Sequence, residues 1–329
     1  MKWFGSFLST RTQKVRVGNA LSKNSGDVRS GVIQGSVLGS ALFTIVLDPL
    51  LRSLHLPSFA YADDVKFVID TTKHDLSLCQ ADLDIINRWS IIHHMPLSIE
   101  KCLLMHCGLH NPRRSYNLGG IPLHVADTVA DLGIARTVAE GYSHHIKDVV
   151  MKASRSRASG MIQRAFRQRP EKIIWLAFNI YVLPILMYVS PVWNPTKACD
   201  KHAFERVLRR LTKRIPGLSS PFYSQRLSHL RSMSLENKRL FADMILVYKG
   251  IHDYTGCSLG EFGLSLAGSS SRGAGIRLHQ ERPLNNMAAS MFKFRAARVW
   301  NSLPLTVTSS PSLCIFKSRL RAFIGKTRT

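Results

Sequence analysis

Acidic residues are scarce in this chain, above all in its second half. Of 329 residues, 21 are Asp or Glu against 45 Lys or Arg, a formal net charge of +24. Residues 1–150 hold 13 acidic and 15 basic residues, whereas residues 151–329 hold 8 and 30. Solvated surface charge, a ribosomal-type protein or a membrane-surface protein would each produce some excess. So lopsided an excess points instead to a polyanion, and nucleic acid is the reading that composition favours. The balanced first half leaves room for chemistry carried by local carboxylates. Cysteine is also sparse: six residues (Cys79, Cys102, Cys107, Cys199, Cys257, Cys314) are scattered, with no Cys-x-x-Cys pair or His partner read at zinc spacing. That pattern excludes a disulfide framework or zinc knuckle read from spacing, and makes a reducing compartment the default. No secretory signal is read in residues 1–11, which hold no long apolar run and no small-residue cleavage site. The location within the cell stays open. An uncharged run of 21 residues, 173–193, contains Asn179, Pro184, Ser190 and Pro191. These divide it into pieces of globular-helix length, so a buried core helix is expected and not a membrane span.

Hydropathy patterning changes near residue 142. Before it, Ser36 is placed to cap a helix with Val37, Leu38, Ala41, Leu42, Ile45 and Val46 at helical spacing. Phe59-Ala60-Tyr61 and Val65 to Ile69 flank Asp63-Asp64 and read as a hairpin. Leu76, Cys79, Leu83, Ile86 and Trp89 mark an amphipathic helix that ends near Met95-Pro96. Short strands are expected at 103–107, around Gly119-Gly120 and at 131–134. The mixture predicts an α+β domain with an antiparallel sheet. Beyond residue 142, helices are expected over about 143–169, 171–190, 197–214 and 235–252, then a Gly/Ser-rich loop at 255–275. A last helix carries Leu313, Phe316, Leu320 and Phe323. On the 197–214 helix, Phe204, Val207, Leu208 and Leu211 form one face, while Arg206, Arg209, Arg210, Lys213 and Arg214 crowd the other. Those five cations are the candidate nucleic-acid contacts.

Tyr61-Ala62-Asp63-Asp64 is the candidate site of chemistry. Two adjacent carboxylates repel one another unless cations sit between them. Paired divalent ions held by carboxylates clamp the attacking and leaving oxygens of a phosphoryl transfer. Asp is equally a common turn residue, so the four residues alone leave both readings open. Their context decides. Gly31-Val-Ile-Gln34-Gly35-Ser36-Val-Leu-Gly39, leading into an apolar helix and followed by Tyr61-Ala-Asp-Asp64, resembles motifs B and C of reverse transcriptases. Ile33 and Ser40 stand where that pattern has proline. Leu83 to Gly108, with Trp89 and Glu100-Lys101-Cys102, is similar to motif D, although Ser98 replaces the usual Asn. Asp131-Leu132-Gly133 is similar to the strand of motif E. Trp3 to Val15 resembles the stretch between motifs A and B. Trp300-Asn301-Ser302-Leu303-Pro304 with Phe316-Lys317 resembles the C-terminal region of some non-LTR (LINE-type) retrotransposon proteins.

The resemblance implies a partial polymerase palm over 1–140, a helical, basic, thumb-like region over 141–254, and a linker with a C-terminal helical region over 255–329. It implies RNA-directed DNA synthesis, with Mg²⁺ as cofactor, deoxynucleoside triphosphates as substrates, and an RNA template and DNA primer or target as partners. By position, Asp63 is the metal ligand and Asp64 its lesser partner. Tyr61 lies against the primer terminus, Gln34 and Gly35 shape the nucleotide site, Leu132 and Gly133 belong to the primer grip, and Lys101 is a general acid for the leaving pyrophosphate. The missing Cβ of Gly35 would let backbone approach a base pair, and Lys101 has the bland alternative of a surface lysine after a helix. The family places one more metal-binding Asp in motif A, ahead of the stretch matched by residue 3 onward. Asp27, in a polar turn, and Asp48, at the far end of the motif B helix, lack the strand-end context to replace it. The 329 residues are therefore expected to be inactive alone. The rival readings are a non-catalytic nucleic-acid binder that uses the basic half, a maturase or telomerase-type protein, and, weakest, a membrane protein.

Overall fold

Gly35 and Ser36 show how local chemistry sets the longest helix of the first half. In the computed structural model, Gly35 has φ +82°, a left-handed turn that glycine adopts freely. Ser36 Oγ then accepts from Gly39 N at 3.0 Å and donates to Ile33 O at 2.8 Å, capping the helix Val37–Ser53. The structure describes residues 2–28, 30–108, 110–139, 141–155, 170–268 and 275–326. Of the helix expected over about 143–169, residues 156–169 lie outside them.

The chain divides into two compact units, Met1–Asp127 and Thr128–Thr329. The first is α+β. Strand Arg11–Gln13 pairs antiparallel with Gly26–Val28, and Arg16–Val17 with Ala20–Leu21. Helix Val37–Ser53 leads to the hairpin Ser58–Tyr61/Asp64–Phe67, then to helix Ser77–Ile92 and the 3₁₀ turn Ile99–Lys101. Leu103–Leu104 pairs parallel with His124–Val125, and Asn117–Leu118 turns through Gly119-Gly120 into Ile121–Pro122. One antiparallel sheet was expected. Among the described residues there are instead six two-stranded ladders in the whole chain, five antiparallel and one parallel. Strands of two to four residues, punctuated by glycine, are too short to build a wide sheet.

Helix Val37–Ser53 packs through one of two apolar stripes. Its core face is Phe43, Leu47, Leu50 and Leu51, packed with Ile86, Trp89, Val65 and Phe67. Val37 is 91% exposed and Ile45 67%, so the apolar stripe that marked the helix in the sequence is not the one that carries its buried residues. Both sets recur at helical intervals, and periodicity alone cannot choose between two apolar stripes. A second cluster joins Leu56, Cys79, Leu83, Tyr116 and Leu118, with Phe67, Leu97, Ile99 and Leu104 against it.

The second unit opens with the hairpin Thr128–Asp131/Ile134–Thr137 and continues as helices. Residues 131–134 were expected as strand; the structure makes Leu132 and Gly133 the turn, with φ +47° and +80°. Two successive residues of positive φ give the tight turn whose twist matches the flanking strands. The uncharged 173–193 run is broken as its prolines require. Helix Glu171–Ala177 passes into a π turn, Phe178–Val182, just before Pro184, whose ring has no N–H to donate. Val189 is left-handed (φ +47°) and starts Ser190–Trp193. Among the described residues no helix is long and apolar enough to cross a membrane.

Helix Ser143–Arg155, the 171–193 pieces and helix Ala198–Lys213 enclose Ile146, Val149, Phe178, Leu186, Trp193, Phe204 and Leu208. Helix Leu235–Ile251 then packs Met244, Val247 and Tyr248 against Trp300 of helix Phe292–Ser302 and against Phe316 and Leu320 of helix Leu313–Lys326. Asp243 and Arg295 form a buried ion pair inside this assembly, with Nε–Oδ2 2.9 Å and Nη2–Oδ1 3.2 Å.

Candidate active site and nucleic-acid interface

The acidic hairpin is built by strand alternation. Tyr61 stands opposite Asp64 and Phe59 opposite Lys66, so these four side chains share one face. All four are exposed, Tyr61 at 67%. Val65 and Phe67, on the other face, are half-buried against helices Val37–Ser53 and Ser77–Ile92. Asp63 occupies the turn itself, after Ala62 at φ +52°. Packing one apolar face thus turns the polar face outward, and both carboxylates reach solvent. Among the described residues neither Asp63 nor Asp64 has a side-chain hydrogen bond or ion pair.

The hairpin is anchored from behind by a residue that sequence reading missed. Asp82, wholly buried on helix Ser77–Ile92, accepts from His55 N (2.9 Å) and Leu56 N (2.9 Å) and meets His55 Nδ1 at 2.7 Å. Those two residues join helix Val37–Ser53 to the first strand of the hairpin. Its sequence signal is modest: an Asp next to Leu83 on the buried side of an amphipathic helix, where a carboxylate must find partners.

Gln34 and Gly35 lie exposed in the loop ahead of the Ser36 cap. The loop is gripped by Arg11, whose Nη2 donates to Gly31 O at 2.8 Å. A Cβ on Gly35 would meet nothing within 4 Å, so in this structure its glycine is required by φ and not by space. Space is the constraint at Gly39, where a Cβ would sit 3.0 Å from Ser36 Oγ and 3.1 Å from Ile33 O. Lys101 is exposed at the end of its 3₁₀ turn, its N–H donating to Ser98 O at 2.9 Å. Ile99 and Cys102 beside it join the cluster that includes Phe67, so the Lys101 turn and the acidic hairpin rest on one core.

As donors, two exposed carboxylates suit a hard divalent cation such as Mg²⁺. Among the described residues, no three His, Cys, Asp or Glu side chains gather for a metal. Asp48 is taken by Arg52, Nε–Oδ2 2.6 Å, and Asp27 lies in strand Gly26–Val28 opposite Thr12, not in a turn. Neither supplies a third ligand.

Leu132 and Gly133 belong to the second unit, where Leu132 O accepts from Tyr188 Oη at 3.1 Å. On helix Ala198–Lys213, Phe204, Leu208 and Thr212 are buried, and Arg206, Arg209, Arg210, Lys213 and Arg214 are all exposed. Arg209 stacks over the Tyr223 ring, 4.8 Å to its centroid. Tyr223 donates its hydroxyl to Glu205, and burial, followed by the Glu205 charge, pushes that phenol above its ordinary pKa. Glu205 also accepts from Leu235 N at 3.0 Å, at the start of helix Leu235–Ile251.

The acidic hairpin and the glycine-flanked loop that opens helix Val37–Ser53 lie in one α+β unit. The reverse transcriptase (RNA-dependent DNA polymerase) family matches residues 2–178, more than half of the sequence, and the chain belongs to that family. Template, primer and deoxynucleoside triphosphates are the ligands that membership implies. No curated protein matches the chain. No solved structure matches it.

Proposed function

We propose that the chain derives from a non-LTR retrotransposon reverse transcriptase that adds deoxynucleotides to a primer 3′-OH by two-metal phosphoryl transfer. The observation that carries this reading is the exposed Asp63-Asp64 pair, Asp63 in the hairpin turn and Asp64 on its outward face, with no side-chain partner among the described residues. In the proposal, residues 1–140 are the palm portion, 141–254 a basic thumb-like region, and 255–329 a linker and C-terminal helical region. Asp63, with Asp64 beside it, would hold Mg²⁺, which supplies charge stabilisation for the attacking and leaving oxygens. Tyr61, on the same face as Asp64, bears on the primer end. Gln34 and Gly35 border the nucleotide, and Leu132 and Gly133 border the primer. Lys101 serves as general acid toward the leaving pyrophosphate. The exposed cations of helix Ala198–Lys213 hold the phosphate backbone.

Two carboxylates make an incomplete clamp, so the 329 residues alone are expected to be inactive. A chain extended with a motif A strand should show Mg²⁺-dependent incorporation on a primed RNA template, and Asp63→Asn should abolish it. Full activity in the extended Asp63→Asn variant would refute the assignment. A second reading, favoured by the exposed cations of helix Ala198–Lys213, is a nucleic-acid binder without catalysis. It differs in requiring none of Asp63, Asp64 or Lys101.

A further inference from the structure

Beside helix Ala198–Lys213 lies a cavity of about 270 Å³, within the second unit. Lys201, Glu205, Arg209, Tyr223, Glu236 and Arg239 are among its walls. Arg239 is the informative member. It is 2% exposed, donates Nε to Asn194 Oδ1 at 3.0 Å, and lies over the Phe204 ring at 4.8 Å. Its Nη1 is buried without a hydrogen-bond partner among the described residues. A guanidinium cannot shed its charge to escape such a place, and an unpaired donor there costs about 1–3 kcal/mol or more.

The two carboxylates do not answer that donor. Glu205 already accepts from the Tyr223 hydroxyl and from Leu235 N. Glu236 lies 3.6 Å from Lys201 Nζ. Arg209 lies over the Tyr223 ring, 4.8 Å to its centroid, at an exposed position. The cavity wall thus carries two arginines and a half-exposed lysine beside two carboxylates that are already engaged. An acceptor-rich tetrahedral anion fits that set better than a carboxylate, because it offers oxygens in several directions at once.

We propose that this cavity is a phosphate-binding site, with Arg239 as its buried anchor, Arg209 as its outer fork and Lys201 as a supporting charge. The source is either a backbone phosphate of nucleic acid or a free phosphate. The inference deepens the nucleic-acid-binding part of the proposed function and rests on that part only for the backbone source. It is independent of Asp63.

Hydrogen–deuterium exchange on the full chain tests it, comparing millimolar inorganic phosphate with chloride at matched ionic strength. Phosphate should slow exchange in 201–209, at 223 and in 234–239, and not uniformly over the basic surface. Arg239→Met should remove that protection, and Arg209→Gln, at an exposed position, should weaken phosphate affinity about tenfold. Absence of local protection overturns the proposal, as does unchanged affinity in Arg209→Gln or retained protection in a folded Arg239→Met. A short single-stranded RNA forms the second arm. If it reproduces the protection and displaces phosphate, the site takes a backbone phosphate. If it protects only the outer cations while phosphate still binds, the ligand is a free phosphate. Lost phosphate binding alongside intact Asp63-dependent synthesis in the extended chain would remove the pocket and leave the polymerase reading standing.

Discussion

Replacing Asp82 by alanine should loosen the acidic hairpin without touching it. The carboxylate sits wholly buried and holds two backbone N–H groups, those of His55 and Leu56, along with the His55 ring. The Leu56 amide is buried with it, so water cannot readily take over. Each buried donor left unmade costs about 1–3 kcal/mol, and partial relaxation at the half-exposed His55 side brings the expected sum to about 3 kcal/mol. That corresponds to roughly a hundredfold increase in local opening of the segment leading into Ser58–Tyr61. Hydrogen exchange resolved to peptides is the right assay, because it reads local opening apart from global unfolding. Exchange at residues 55–61 should accelerate on that scale in Asp82→Ala, while helix Leu235–Ile251 in the other unit stays unchanged. Asp82→Asn keeps one acceptor oxygen and should fall between. Exchange at 55–61 indistinguishable from the native chain would mean that Asp82 does not anchor the hairpin.

Three further outcomes follow from the second unit. Reversing Arg209, Arg210 and Lys213 to Glu should weaken binding to RNA or DNA and flatten its salt dependence, by about 0.9 in log–log slope for each phosphate no longer neutralised; an unchanged slope between low and physiological salt would count against the helix as an interface. His145 is 5% exposed, its Nε2 has no hydrogen-bond partner among the described residues, and burial first, then the Lys152 charge, holds its pKa below the ordinary value. The unfolded chain therefore binds the extra proton more readily, so this contribution to stability is present above the unfolded value near 6.5 and lost as pH falls below it. His145→Gln should shrink the drop in melting temperature on acidification, and an equal drop in both proteins would refute the assignment. Arg295→Met should strand Asp243 in the core and cost about 3–5 kcal/mol in chemical denaturation; a loss below about 1 kcal/mol would show that the pair is not sealed from water.

Periodicity and turn chemistry carried much of the architecture. The Ser36 cap, the acidic hairpin, helix Ser77–Ile92, the Gly119-Gly120 hairpin and the two faces of helix Ala198–Lys213 were all legible, because each rests on local signals within one element. What escaped depends on which surfaces meet. Val37–Ser53 has two apolar stripes, and only its neighbours decide which is buried. Leu132-Gly133 looked like strand because Leu is apolar, whereas the positive φ at both positions makes a turn. Asp82, Arg239, Asp243 and Arg295 resemble surface charges in a sequence, and distant partners hold them, Leu56 N 26 residues from Asp82 and Pro191 O 104 residues from Arg295. Helix Tyr223–His229 went unread because seven residues give too little repeat to register.

The acidic hairpin also behaves as a parity device. Along Asp64–Phe67 the odd-numbered side chains, Val65 and Phe67, face the core, and the even-numbered Asp64 and Lys66 face out. One residue inserted within that strand would carry an ionised group inward and two apolar groups outward, whereas two inserted residues would restore both faces. Chain length there is therefore constrained modulo two, a restriction that acts on insertions and deletions and is blind to side-chain chemistry. Lineages descended from this sequence should accumulate substitutions at Val65 and Phe67, apolar for apolar, long before they tolerate a single-codon change in length.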